Sequence, residues 1–240
     1  MREGILSAGL VTSAEVVRSG EQEVLGLELR DSQTKGWNPE NFAREQIQGL
    51  VRQVFFSRGP RPIRQVVFSA VETESDVRNV CRRVGEALAL ETAGNVAVVG
   101  GYPQLLHNVD TQHHGEAESK DATGPLQRIA TRVRGNLWLV PAEWKNGTAA
   151  TAASLQSYLR QLHREFEYSI IAGPSAGESS EAAAMAQFAD GIILVLSALS
   201  TRRVRASNIK ETLERAQACL LGTVLSDRVF PIPESIYRRL

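Results

Sequence analysis

Two apolar runs decide the architecture, FEYSIIAGP at 166–174 and ADGIILVL at 189–196. In each, consecutive side chains are apolar, so both faces of an extended segment would be buried. Strands of that kind belong to parallel sheets covered by helices on both sides. Between them, residues 180–188 are alanine-rich and read as a helix. Strand, helix and strand in this order make a βαβ unit.

The same alternation extends outward. Upstream, RQVVFSA (64–70), NVAVV (95–99) and NLWLV (136–140) read as short buried strands, and LLGTVL (220–225) follows downstream. Helices are expected over 75–91, with Val77, Val80, Cys81, Val84, Ala87 and Leu88 on one face, and over 125–133, 149–165 and 203–217. A further helix opens at Asn38 as cap, with Pro39 at its first position. Its apolar residues Phe42, Ile47, Leu50, Val51, Val54 and Phe55 keep helical spacing. Residues 1–36 read as an extension with one alternating segment, EVLGLEL (23–29). Residues 37–227 form the domain and 228–240 a tail. The fold class is therefore α/β: a parallel sheet between two helical layers. Ligands in such sheets sit at the carboxyl ends of the strands, here after Ala70, Val99 and Ala172.

Composition narrows the function classes. Hydrophobic residues make up 42% and charged residues 22%, as in an ordinary globular protein. Basic and acidic residues balance at 27 each, so no global field draws the chain to nucleic acid or to an anionic membrane. No apolar run reaches the length of a membrane span, and the first residues carry charge too early for a secretory signal. A cytoplasmic protein is expected, at most peripheral to the inner membrane through a partner. Cys81 and Cys219 both fall in helix-like stretches with no metal or redox spacing, and read as buried free thiols.

The quoted runs resemble the cytoplasmic kinase domains of bacterial tyrosine autokinases, which partner polysaccharide chain-length regulators. Asn136 to Ala142 (NLWLVPA) is similar to that family's N-L-x-(V/L)-(L/I)-P-A turn. Residues 166–174 look like its Y-D-Y-V-I-I-D-T-P, and residues 189–195 match its V-D-G-V-I-L-V almost throughout. Thr201-Arg202 and LGTVL (221–225) stand at two further motifs. Residues 45–56 (EQIQGLVRQVFF) resemble the helix before the first strand. MinD/ParA-type ATPases share the architecture but fit this helix and NLWLVPA less well. The resemblance implies a P-loop NTPase fold with ATP and magnesium as ligands.

Against that implication stand the residues of the site. The family's Gly-rich, lysine-bearing loop corresponds to SAVETESD (69–76), which has no glycine and no lysine. Backbone N–H groups of such a loop cradle phosphates through turns that glycine permits. Glu72, Thr73, Glu74, Ser75 and Asp76 would instead set carboxylates against a polyanion. The family's aspartate pair after the second strand falls at Val98 to Tyr102, around Gly100. Its Walker B-type aspartate becomes Ala172, and the asparagine that meets adenine becomes Ser226. Arginines of the interface helix become Gln48 and Val51, and the tyrosine-rich tail keeps Tyr237 alone.

Other signals read as structural. His107, Asp110, His113, His114 and Glu116 lie in a polar loop without the fixed geometry that zinc requires, so no metal is expected. Gly173 to Gly177 (GPSAG) lacks the spacing of a nucleophile elbow and reads as a tight turn after a strand. Arg202, Arg203 and Arg205 open a solvated helix, with partner docking at Arg202, Arg203 and Tyr237 as the alternative. The expectation is a pseudo-kinase that binds no cofactor and acts by docking. Its partner would be a membrane polysaccharide chain-length regulator or another export component, with homo-oligomers open and no nucleic acid involved. Two alternatives stand beside it. One is a residual ATP- and magnesium-dependent tyrosine kinase, the other a MinD- or pilus-type spatial regulator without ATPase activity.

Overall fold

The structure is a computed structural model that describes residues 39–57, 61–72, 77–100, 124–142 and 151–226. The elements in chain order are α1 (Pro39–Phe55), β1 (Gln65–Ala70), α2 (Val77–Glu91), β2 (Val96–Val99), α3 (Pro125–Ile129), β3 (Thr131–Arg134) and β4 (Leu137–Val140). They continue as α4 (Ala152–Glu165), β5 (Tyr168–Ala172), α5 (Glu181–Phe188), β6 (Gly191–Ser197), α6 (Arg203–Arg215) and β7 (Leu220–Ser226). The strands form one sheet in the order β3-β4-β2-β5-β1-β6-β7. Every pairing is parallel except β3 with β4.

Side chains alternate between two apolar layers, as the period of a strand demands. Val66, Phe68 and Ala70 of β1 join Ile170 and Ala172 of β5 beneath α1 and α2. Val67, Ile171, Ile192 and Leu194 face the opposite layer, with Leu159 and Leu162 of α4, Met185 of α5 and Leu213 of α6. Residues 169–172 and 191–195 are buried on both faces for this reason. Among the described residues, no helix is long and apolar enough to cross a membrane.

Three expectations are corrected. The helix anticipated over 125–133 stops at Ile129, where Ala130 turns extended, and β3 follows as an antiparallel edge strand. Gly135, at φ +53°, supplies the left-handed turn of this hairpin. Arg132 secures it, with Nε donating to Gly135 O at 2.5 Å and its guanidinium 5.4 Å from the Trp138 ring centre. The sheet is therefore mostly parallel, with one antiparallel edge. Second, Cys219 lies outside any helix and is exposed, whereas Cys81 is buried in α2 as expected. Third, α4 begins at Ala152, capped by the Thr151 side chain, which accepts from Ser154 N. The Asn38 cap, the 23–29 segment, the histidine-bearing loop and the tail lie outside the described residues.

Candidate functional site

The sheet order places the site. From β1 the chain crosses to β2, past the position of β5; from β5 it crosses back past β1 to β6. The crossovers diverge between β1 and β5, and a crevice is expected outside their carboxyl ends. The residues that line it follow from the β1–β5 register, which pairs Phe68 with Ala172.

Here the backbone closes on itself. Gly173 N donates to Phe68 O at 2.9 Å, and Ala176 N to Ala70 O at 2.8 Å, carrying the strand contact past Ala172. The fully buried Ser69 donates its hydroxyl to Pro174 O at 2.5 Å. On the other side, Val71 N donates to Val195 O at 3.1 Å. The first backbone donor beyond β1 is thus engaged by β6, and Val71 itself is fully buried. The turn at 176–178 presses against this point: a Cβ on Gly177 would collide with Val71 O and stand 3.3 Å from an Arg205 Nη.

Glu72 follows half-buried, and Thr73, Glu74, Ser75 and Asp76 lie outside the described residues. Ala172 is 5% exposed, its methyl in the layer under α1 and α2. Gly100 stands beside it at φ +80°, where a Cβ would lie 3.4 Å from Ala172 O and 3.5 Å from Ala172 Cβ. Gly100 and Ala172 are therefore brought together, at the mouth of the crevice. Ser226 is not. It ends β7, two strands from β1, and its hydroxyl donates to Leu196 O at 3.2 Å.

Other candidates resolve as follows. Among the described residues, the Ser175 hydroxyl donates to Val71 O at 3.5 Å. His163, the one histidine among the described residues, lies in the last turn of α4, which leads into the opposite end of β5. Val51 is fully buried against the sheet, and Gln48 is half-buried on α1. Arg202 and Arg203 are exposed at the start of α6, beside Leu199 and Val204, which are 72% and 71% exposed. Tyr237 lies outside the described residues. Ser69, Pro174 and Gly177 link the ends of β1 and β5; the sequence marks GPSAG as a tight turn but not its bond to Ser69. The GPSAG turn was the available signal, since two glycines around a proline mark close backbone approach.

Solved structures share this fold. The kinase domain of the Escherichia coli tyrosine kinase Etk aligns at 15% identity over 86% of this chain and 88% of its own, with a TM-score of 0.62. The chimerical protein CapA2B2 aligns at 15% identity over 80% and 87%, with a TM-score of 0.61. A chain of the MinC:MinD cell division protein complex of Aquifex aeolicus aligns at 15% identity over 70% of each chain, with a TM-score of 0.52. The chain has the P-loop NTPase fold of the tyrosine-kinase and MinD type. No protein-family model matches the sequence, and no curated protein matches it significantly.

Within this P-loop fold, the residues that match the kinase pattern have structural work. Asp190 accepts from Arg64 N at 2.7 Å and Gln65 N at 2.8 Å, fixing the start of β1. Asn136 donates to Thr92 O and Gly94 O, tying the end of α2 to β4. Pro141 O accepts from the Tyr158 hydroxyl at 2.8 Å. Tyr168 packs edge-on against Phe55, the last residue of α1, and Phe56 just beyond it. Its hydroxyl pKa is raised by burial first and by Glu167 second, with Arg64 opposing.

Proposed function

We propose that this chain is a catalytically inactive relative of the tyrosine-kinase domains, acting as an interaction module in polysaccharide export. The observations that support the reading are Ala172 at the end of β5, the acidic Glu72 after β1, and the bonds that tie Ser69 and Ala70 to the Gly173–Gly177 turn. A nucleotide site of this fold needs free N–H donors after β1 and an oxygen ligand toward magnesium at the end of β5. Here Val71 N is bound to β6, and Ala172 offers a methyl. Glu72 adds an acidic group at the start of the loop, where repulsion from phosphate opposes binding. The residues present do not fit Mg-ATP, and no phosphoryl-transfer step is assigned to them.

A module of this kind acts by docking. The similarity to CapA2B2 and to a chain of the MinC:MinD complex supports protein partners as the class of ligand. Arg202 and Arg203, exposed beside Leu199 and Val204, offer a basic and apolar face for a membrane-anchored chain-length regulator or another export component. Docking to such a partner would hold the chain at the inner membrane.

Retention of the full-length chain on an immobilised cytoplasmic segment of a chain-length regulator from the same cell tests this reading. Binding is expected to weaken at least tenfold in Arg202→Glu with Arg203→Glu. No retention, or retention indifferent to the charge reversal, sinks the docking assignment.

A further inference from the structure

We infer that the groove between α1 and α2 is the docking site for the acidic, apolar segment 21–29 of this same chain. The groove has a volume of about 390 Å³. Its apolar lining comes from Ala43 and Ile47 of α1 and from Ala87 and Leu90 of α2, and Leu90 is 81% exposed. Arg44 and Arg83 stand on its two walls. Arg82 lines it too, with its Nη atoms donating to Glu86 and Asn79 and its Nε buried without an acceptor among the described residues. Of the two glutamates that line the groove, Glu86 already pairs with Arg82 at 2.5 Å. With three arginines against two glutamates the lining carries net positive charge, so an occupant that brings acidic groups and a short row of apolar side chains complements it.

Segment 21–29, EQEVLGLEL, has that chemistry. It carries Glu21, Glu23 and Glu28, four aliphatic side chains and no cation. In an extended chain Leu25, Leu27 and Leu29 share one side. The position of the groove favours a docking in cis, because Glu40 in the first turn of α1 lines it. The ten residues from 30 to 39 span up to about 33 Å, enough to turn back along α1. A tether of this length gives an effective concentration on the order of millimolar, so a modest groove suffices. The docking covers the outer face of α1 and does not depend on the state of the β1–β5 crevice.

A cysteine pair tests the inference in the full-length chain. With Cys219→Ser as background, Leu27→Cys and Leu90→Cys are combined and oxidised with copper phenanthroline. The expected product is an intrachain bridge at monomer mass, formed at least fivefold faster than one between Leu27→Cys and Ile129→Cys. Adding Arg44→Glu with Arg83→Glu should slow bridging at least fivefold, and Glu23→Arg with Glu28→Arg should restore it. A bridge at dimer mass means that a second copy fills the groove and overturns the proposal. Equal rates at positions 90 and 129, or indifference to charge reversal, overturn it as well. Hydrogen exchange in the unmodified chain gives a second measure, with slowed exchange over 21–29 expected and exchange at intrinsic rates contradicting it.

Discussion

At the amino-terminal ends of the strands, Asp190 and Asn136 add side-chain bonds to the backbone ladder; at the carboxyl-terminal ends of β1 and β5, the backbone bonds are joined by the Ser69 hydroxyl. Asp190 and Asn136, both within the kinase-like motifs, accept or donate two hydrogen bonds each at the first edge. At the second, the positions that would meet nucleotide are Ala172, Glu72 and the loop after it, and the hydroxyl of Ser69 is tied to Pro174. Folding and ligand binding thus draw on opposite edges of one sheet. On the proposed reading, a chain can change the second without losing the first.

The first way to break this comparison is to disturb the packing edge. Gly191 begins β6, and a Cβ there would lie 2.5 Å from Leu221 Cγ and 2.8 Å from Cys219 O. A backbone carbonyl cannot swing aside as a side-chain tip can. Gly191→Ala should destabilise the chain by about 3 kcal/mol, measured by urea denaturation. A loss below about 0.5 kcal/mol would mean that β6 and β7 are not so closely packed.

Asp190→Ala comes next. It leaves the N–H groups of Arg64 and Gln65 without their acceptor at the entry to a central strand. A cost of about 2 kcal/mol is expected, with Asp190→Asn recovering part of it through its remaining oxygen. Equal stability of wild type and alanine variant would remove the structural account of this motif.

Ser69→Ala probes the other edge and should be milder, about 1 kcal/mol, since one hydrogen bond is lost and Pro174 O stays near solvent. The turn at 173–177 should then exchange its amide hydrogens faster while β5 stays protected. Unchanged exchange in the turn would show that the Ser69 hydroxyl does not hold it.

The smallest effect is a pH dependence. Burial raises the Tyr168 pKa above 10.0, so the folded state favours the neutral phenol more than the unfolded state does. Its contribution is complete below pH 10 and is lost as pH rises from there through the folded value. Tyr168→Phe should flatten the alkaline fall in stability. A fall of the same size in the variant would assign it to other groups.

The strands were legible because burial on both faces leaves continuous apolar runs, as at 191–195. The helices were legible from their single apolar stripes. β3 was not. TRVR is exposed along almost its whole length, so neither apolar periodicity marks it, and its partner and the Gly135 turn define it. Cys219 was misplaced for a related reason: α6 stops at Arg215, and Gln217 takes a left-handed φ of 57°, which residue type alone does not announce.

At the site, the identity of Ala172 and the acidic character of 72–76 could be read directly from the chain. The bond from Ser69 to Pro174 could not, because it joins residues 105 positions apart through the β1–β5 register. The same holds for Gly177, whose lack of a side chain matters only once Val71 O lies against it.

Titration of the full-length chain with Mg-ATP, followed by calorimetry and by thermal unfolding, tests the central claim most directly. A functional site should stabilise the fold by about 2.7 kcal/mol when ligand reaches a hundredfold excess over its dissociation constant. The proposed reading predicts no saturable heat and no rise in unfolding temperature up to millimolar nucleotide. Saturable binding with a clear upward shift, abolished by substitutions at Glu72 or Ala172, would contradict it.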